Sequence, residues 1–435
     1  MINKFMKKIL SKCLQKILFI LARIILVKYQ PKVVGITGSI GKSSAKEAIF
    51  SVLQFRFKTR KNIKNYNNEI GLPLTIIGLP SGGRSFFAWL KIFWHALKLI
   101  VLVDKNYPEV LVLEMGVDHP GDMKYLTDLA PCDVGVVTNI GPVHLEFFKT
   151  IDKIAKEKSL IISRLNKNGW GILNCDNEYV YSMKDSVKGR FLTYGFNQEA
   201  MVRALESDFS FDDSGEPVGL SFKISYDGKV VPVFLPGALA EHQIYAALAG
   251  AAVGIVFEMN LVEISQALKN FTPPKGRLHL ISGVNGSRII DDTYNASPEA
   301  TIAAIKTLSK INCRGVKYAV LGDMLELGDF ENEGHQLVGK EIAKNNVNFL
   351  ITVGNRAKII AQIAIKQGFD LNNVWEFNNS LEAGEFLLKR LSPGDLVLIK
   401  GSQGMRMERA SKIVLANPEK AKDLLVRQDE QWQDK

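Results

Sequence analysis

Four cysteines, Cys13, Cys132, Cys175 and Cys313, are all that this chain of 435 residues contains, and no two form a C-x-x-C pair. Such spacing excludes a disulfide framework, a zinc ribbon and a thiol-redox motif, and it suits a reducing compartment. The sequence also lacks an aromatic RNA-binding signature, Cys/His zinc spacing and any internal repeat. Nucleic acid is therefore the least supported of the partners that a net charge of +10 permits; an anionic membrane surface and phosphorylated substrates remain. At this length two or three domains are expected.

Acidic residues are missing altogether from the first thirty positions, "MINKFMKKILSKCLQKILFILARIILVKYQ". Ile2, Phe5, Met6, Ile9, Leu10, Cys13, Leu14, Ile17 and Leu18 recur at helical spacing with lysines mostly between them. The apolar run from Ile17 to Ala22 stops at Arg23, well short of the roughly 20 residues a spanning helix needs. No small-residue cleavage site precedes the next strand, which argues against a signal peptide. The spacing predicts a basic amphipathic helix over residues 1–30, suited to a membrane surface and equally to packing on the protein's own body. A second such stretch, "SFFAWLKIFWHALKLIVLV" (85–103), sets Lys91, His95 and Lys98 on one helical face among Phe, Trp, Leu and Ile. Buried helix and interfacial helix are both open readings for it.

From Lys32 to about Asn270, short apolar runs alternate with helical patterns, which predicts a mostly parallel sheet flanked by helices. "KVVGIT", "EVLVLEMG" and "DVGVVTNIG" read as buried strands. "GLSFKISYDGKVVPVFLPG" alternates and carries the hairpin signal Asp227-Gly228. Pro273 and Pro274 mark a linker. Beyond it "RIIDDTY", "KYAVLGDM", "NFLITVG" and "DLVLIKGS" alternate with helices, one entered through Ser297-Pro298. The expected architecture is α/β: a helix at 1–30, a P-loop domain at 31–272, a Rossmann-like domain at 273–420 and a polar tail at 421–435.

The stretch "VVGITGSIGKSSAKEAIF" (33–50) departs from the common phosphate loop, whose first glycine would fall at Ile36. It still has what phosphate binding requires. Gly38 and Gly41 let the backbone approach an anion, Lys42 brings charge, the Ser43 hydroxyl suits Mg²⁺, and a strand and a helix flank the turn. The order T-G-x-x-G-K-S resembles the loop of the Mur ligases and their folylpolyglutamate synthetase relatives. "NYNNEIGLPLT", "LEMGVDHPGDM", "TNIGPVHLEFF", "IAKEKSLI", the Gly276-Arg277 pair, "IIDDTYNASPEA", "VLGDMLELG" and "IKGSQGMRMER" follow in the family's order. The last three are most similar to members that add D-alanyl-D-alanine to a muramoyl tripeptide.

The resemblance implies an ATP-dependent peptide ligase of peptidoglycan precursor synthesis, acting through an acyl phosphate, with ATP and Mg²⁺ as cofactors. By the same resemblance Gly38, Ser39, Gly41, Lys42, Ser43 and Ser44 hold phosphate, while Ser43, Glu114, His144 and Lys158 serve metal ions, Lys158 as a carbamate. Lys42, Lys158, His144 and Arg277 are the implied catalytic residues. Asp292, Tyr294 and Asn295 would meet the nucleotide. Asn67 and Asn68 would contact the acceptor, and Asp323, Glu326 and Arg406 the incoming dipeptide. Glu114 has independent support, because a carboxylate closing a buried strand is costly without a cation. Read without the resemblance, Lys158 is a solvated helix residue and Asn67 and Asn68 are turn residues.

Two departures stand out. Family members usually carry an N-terminal domain for the uridine diphosphate of the precursor, whereas here about thirty residues precede the loop strand; a lipid-linked acceptor at the inner membrane face is one expectation. "AEHQIYAALAG" has Gln243 and Ala246 where asparagines are usual, which bears on adenine contacts. A monomer in the cytosol, touching the membrane through 1–30 and 85–103, is expected. The competing readings are a relative using another amine, and a non-catalytic, membrane-attached ATP-binding scaffold.

Overall fold

The structure, a computed structural model, describes residues 2–63, 66–83, 85–141, 145–429 and 432. Two compact units divide it: Met1–Glu206 with Phe222–Phe234 and Glu241–Phe271, and Ser207–Ser221 with Leu235–Ala240 and Thr272–Lys435.

In the first unit, strands β1 (Lys32–Thr37), β2 (Thr59–Lys61), β3 (Val110–Glu114), β4 (Val134–Val137), β5 (Trp170–Asn174) and β6 (Arg190–Gly195) pair in parallel in the order β2-β3-β1-β4-β5-β6. β3 and β4 are buried along their whole length; they read as continuous apolar runs because parallel strands are covered on both faces. β7 (Val202–Phe211), β8 (Pro217–Tyr226) and β9 (Lys229–Pro236) complete the order of this sheet. The β8–β9 turn has Asp227 at φ 49° and Gly228 at φ 71°, the left-handed pair that the Asp-Gly signal calls for.

The basic N-terminal segment is a helix, Ile2–Tyr29, and the aromatic segment is another, Phe86–Val101. Leu18, Ala22, Ile25 and Leu26 of the first share one core with Ile92, Ala96 and Leu99 of the second. Lys28 Nζ donates to the carbonyls of Leu99, Ile100 and Leu102 at 2.6–2.9 Å, satisfying helix-end acceptors that have no intrahelical partner. No helix among the described residues is long and apolar enough to cross a membrane.

The second unit contains β10 (His279–Ser282), β11 (Arg288–Asp292), β12 (Lys317–Gly322), β13 (Phe349–Val353), β14 (Val374–Phe377) and β15 (Leu396–Lys400), ordered β10-β11-β15-β12-β13-β14. All pair in parallel except β10, which is antiparallel to β11. Neighbouring residues of one strand, such as Val397 and Leu398, enter two different cores, so helices cover both faces. Ser297 caps the helix Pro298–Lys310 through the N–H of Ala300. The segment read from sequence as a polar tail begins with a short helix, Ala421–Leu424, and buries Ala421 and Leu425.

Candidate active site

β1 lies between β3 and β4, with Ile36 beside Glu114 and Thr37 beside Val137. The chain leaving β1 therefore emerges between the carboxyl ends of two neighbours, the position where open α/β sheets bind ligands. Gly38 has φ 150°, and a Cβ on it would fall 2.0 Å from Thr138 Oγ1. Gly41, at φ 86°, precedes the helix Lys42–Leu53 with no side-chain cap hydrogen bond. First-turn amides at such an end suit an anion. The loop is braced from β4: Thr138 Oγ1 donates to Ile40 O at 2.6 Å, and Ser39 N donates to Asn139 O at 2.6 Å. Lys42 Nζ donates to Gly38 O at 2.8 Å and to Ser39 O at 3.3 Å.

Glu114 is 3% exposed. Its Oε2 accepts from Ser43 Oγ at 3.0 Å and lies 3.6 Å from Lys46 Nζ, while Oε1 accepts from Asn67 Nδ2 at 3.1 Å. Asn62 fixes the backbone there, accepting from Glu114 N at 2.6 Å and donating to Glu114 O at 3.2 Å. Sequence reading missed both Asn62 and Lys46. A signal for Lys46 existed: it follows Lys42 by four positions and Ser43 by three, on one side of the same helix.

Lys158, in the helix Ile151–Ser163, is 1% exposed, not the solvated residue that its lysine-rich surroundings suggest. Burial pulls its pKa down to about 7, and the charge of Lys42 adds to the lowering, against Asp118, Glu157 and Asp122. Asn68 uses its side-chain oxygen on the N–H groups of Ile70 and Gly71, so the turn role holds for it, whereas Asn67 points to Glu114. Ser44 is buried in the first turn of the loop helix. His144 lies outside the described residues.

In the second unit, Asp292 and Lys400 are direct partners across β11 and β15. Lys400 Nζ lies 2.7 Å from Asp292 Oδ2 and donates to Asn295 O at 2.9 Å; Asp292 Oδ1 accepts from Leu278 N at 3.2 Å. Both carboxylate oxygens are thus engaged within the protein, a competition for the expected nucleotide contact. The Arg277 guanidinium sits 4.3 Å from the Tyr294 ring centre. Asp323 accepts from Ala357 N at 2.7 Å, a structural bond at the N-terminus of the helix Lys358–Lys366.

Asn295, Leu325, Glu326, Ser402, Gln403, Gly404, Arg406 and Trp432 line a cavity of about 440 Å³. All but Trp432 follow the carboxyl ends of β11, β12 and β15, which are adjacent in the sheet. Arg406 bonds Glu408 Oε1 and the carbonyl of Trp432, and its guanidinium lies 5.2 Å from that ring. Glu408, fully buried, also pairs with Arg427 at 3.1 Å. The contribution of Trp432, near the chain end, left no trace in local sequence pattern.

A parallel sheet running into a glycine turn, with a serine hydroxyl and a buried carboxylate beside it, is the architecture of the phosphate-loop α/β class. The Mur ligase middle domain matches residues 95–254, and the Mur ligase glutamate ligase domain matches residues 276–403. The UDP-N-acetylmuramoyl-tripeptide–D-alanyl-D-alanine ligase of Bacillus subtilis is 31% identical over 399 residues, covering 92% of this chain and 79% of that protein. MurF from Acinetobacter baumannii superposes with a TM-score of 0.75 at 26% identity, over 91% of this chain and 79% of that one. MurF ligase from Thermotoga maritima in complex with ADP gives 0.71 at 26% identity, over 94% and 84%. The chain belongs to the Mur ligase family.

Proposed function

We propose that this protein is an ATP-dependent peptide ligase that joins D-alanyl-D-alanine to a muramoyl tripeptide in peptidoglycan precursor synthesis. The similarity to ligases named for that reaction, over nine-tenths of the chain, supports it. The single structural observation that carries the chemistry is the buried Glu114 held by Ser43, Asn67 and Lys46 beside the glycine loop.

The acceptor carboxylate attacks the γ-phosphorus of ATP, and ADP leaves. The amine of the dipeptide then attacks the acyl carbon, loses a proton and expels inorganic phosphate. Negative charge meets negative charge in the first step, so preorganised cations and amides are the main requirement. The loop amides and Lys42 would hold the phosphates. Mg²⁺ fits the donor set here: hydroxyl and carboxylate oxygens from Ser43 and Glu114 with the remainder from phosphate and water, its usual manner of binding. When bound, the ion neutralises phosphate charge.

Lys158 would react as the neutral amine with carbon dioxide, its nitrogen bonding the carbon and releasing a proton to solvent, to give a carbamate, a step that its lowered pKa favours. His144 and Arg277 are assigned catalytic support by the family pattern alone. In the second unit, the cavity lined by Glu326 and Arg406 suits a small zwitterion, with Tyr294 and Asn295 kept as candidate nucleotide contacts; Asp292 and Asp323 act there through the bonds described above. Asn67 remains the candidate on the acceptor side. One copy carries every residue named, so a monomer suffices. ATP use fits a cytosolic reaction, with peripheral membrane contact through 1–30 and 85–103 and either a nucleotide-linked or a lipid-linked acceptor. ADP release measured with each substrate omitted in turn tests the reading. Release that ignores the amine would favour the scaffold or another amine.

A further inference from the structure

We infer that the outer faces of the helices Ile2–Tyr29 and Phe86–Val101 form one lipid-binding platform that seats the protein on an anionic bilayer without crossing it. This rests on, and deepens, the peripheral contact proposed above. The inner faces of both helices enter one core, and Lys28 ties the end of the first helix to the carbonyl end of the second. Their outer faces are therefore neighbouring parts of one rigid surface. Ile20, Ile24 and Val27 stand out from the first, opposite its buried residues, and Phe87 (80% exposed), Trp94 (73%) and Val101 (76%) stand out from the second. Large apolar side chains left exposed in such numbers on two packed helices mark an interaction site.

The charges say what covers it. Neither residues 1–30 nor residues 85–103 contain an aspartate or glutamate, while Lys16, Lys91 and Lys98 are exposed beside the apolar positions. Aromatic rings flanked by lysines match the boundary between acyl chains and anionic headgroups, where each lysine adds electrostatic attraction. A second copy would set lysine against lysine. The absence of any spanning-length apolar helix among the described residues makes the contact interfacial.

The test uses the full chain and sedimentation with vesicles of phosphatidylcholine alone or mixed with phosphatidylglycerol. Binding is expected to the mixed vesicles at low salt, to weaken at high salt, and to be slight with phosphatidylcholine alone. The double variant Phe87→Glu/Trp94→Glu, with an unchanged melting temperature, should bind about tenfold more weakly, and Lys91→Gln/Lys98→Gln should lose the preference for anionic lipid. ADP release with soluble substrates should be the same in both variants as in the parent. Failure of the parent to bind mixed vesicles, equal binding by the aromatic variant, or a lipid-free dimer that this variant dissociates would each overturn the platform. Absence of ADP release by the parent would instead refute the ligase reading, and the sedimentation result would still decide the platform.

Discussion

Lys46 Nζ lies 3.6 Å from Glu114 Oε2, and both residues are almost sealed from water. The carboxylate ends a strand whose own residues are fully covered, so its charge depends on the cation and on hydrogen bonds from Ser43 and Asn67. Removing one member of a buried ion pair leaves the other uncompensated. Lys46→Met should therefore lower the free energy of unfolding by about 3–5 kcal/mol, measured by urea denaturation. Ser43→Ala removes only a neutral donor and should cost about 1 kcal/mol, yet it should depress turnover far more than the stability change accounts for.

Lys158 predicts two pH dependences. Its folded pKa, about 7, lies below a lysine's ordinary value of 10.5, so between those values the unfolded chain binds more protons and this group's contribution to stability rises with pH. Carbamate formation needs the neutral amine, so turnover should rise through about pH 7 in bicarbonate-containing buffer. Lys158→Ala should abolish turnover, and short carboxylic acids should restore part of it. Near-normal activity of the alanine variant would remove the lysine from the mechanism.

Asp291 behaves in the opposite sense. It is fully buried, accepts from Thr293 and Ser411 at one oxygen only, and burial pushes its pKa up to about 7 from 3.8. Its folded form holds a proton that the unfolded chain gives up, so this group's contribution is full below about pH 4 and is lost as pH rises through about 7. Asp291→Asn should raise the melting temperature at pH 8 and change it little at pH 4. An equal effect at both would contradict the assignment.

The strands, the glycine turn and the Asp-Gly hairpin were legible because each rests on local chemistry: apolar runs between turn residues, and backbone angles that favour glycine. The site was legible only where motif order carried it. Lys158 looked solvated because its neighbours Lys153 and Lys156 are solvent-facing in type, while its burial comes from packing distant in sequence. Asp292 and Lys400 meet through strand register, 108 positions apart, which no local pattern encodes. The same holds for Trp432 against Arg406. The N-terminal helix admitted two readings from sequence, packed on the body or facing a membrane. Its buried Leu18–Ala22–Ile25 face realises the first and leaves its other face outward.

Trp432 should matter to the amine more than to the nucleotide. It lines the same cavity as Glu326 and Arg406, and losing one aromatic contact is worth about three- to tenfold in binding. Trp432→Ala should raise KM for D-alanyl-D-alanine by that factor and leave KM for ATP unchanged. Equal changes in both would place the cavity outside amine binding.

The ligase chemistry requires that the acceptor carboxylate be phosphorylated before the amide forms. Acceptor labelled with ¹⁸O in that carboxylate, incubated with ATP, D-alanyl-D-alanine and the protein, tests it most directly through mass analysis of the released phosphate. One ¹⁸O per phosphate released is expected, with release dependent on both the acceptor and the amine. Unlabelled phosphate, or release in the absence of acceptor, would contradict it.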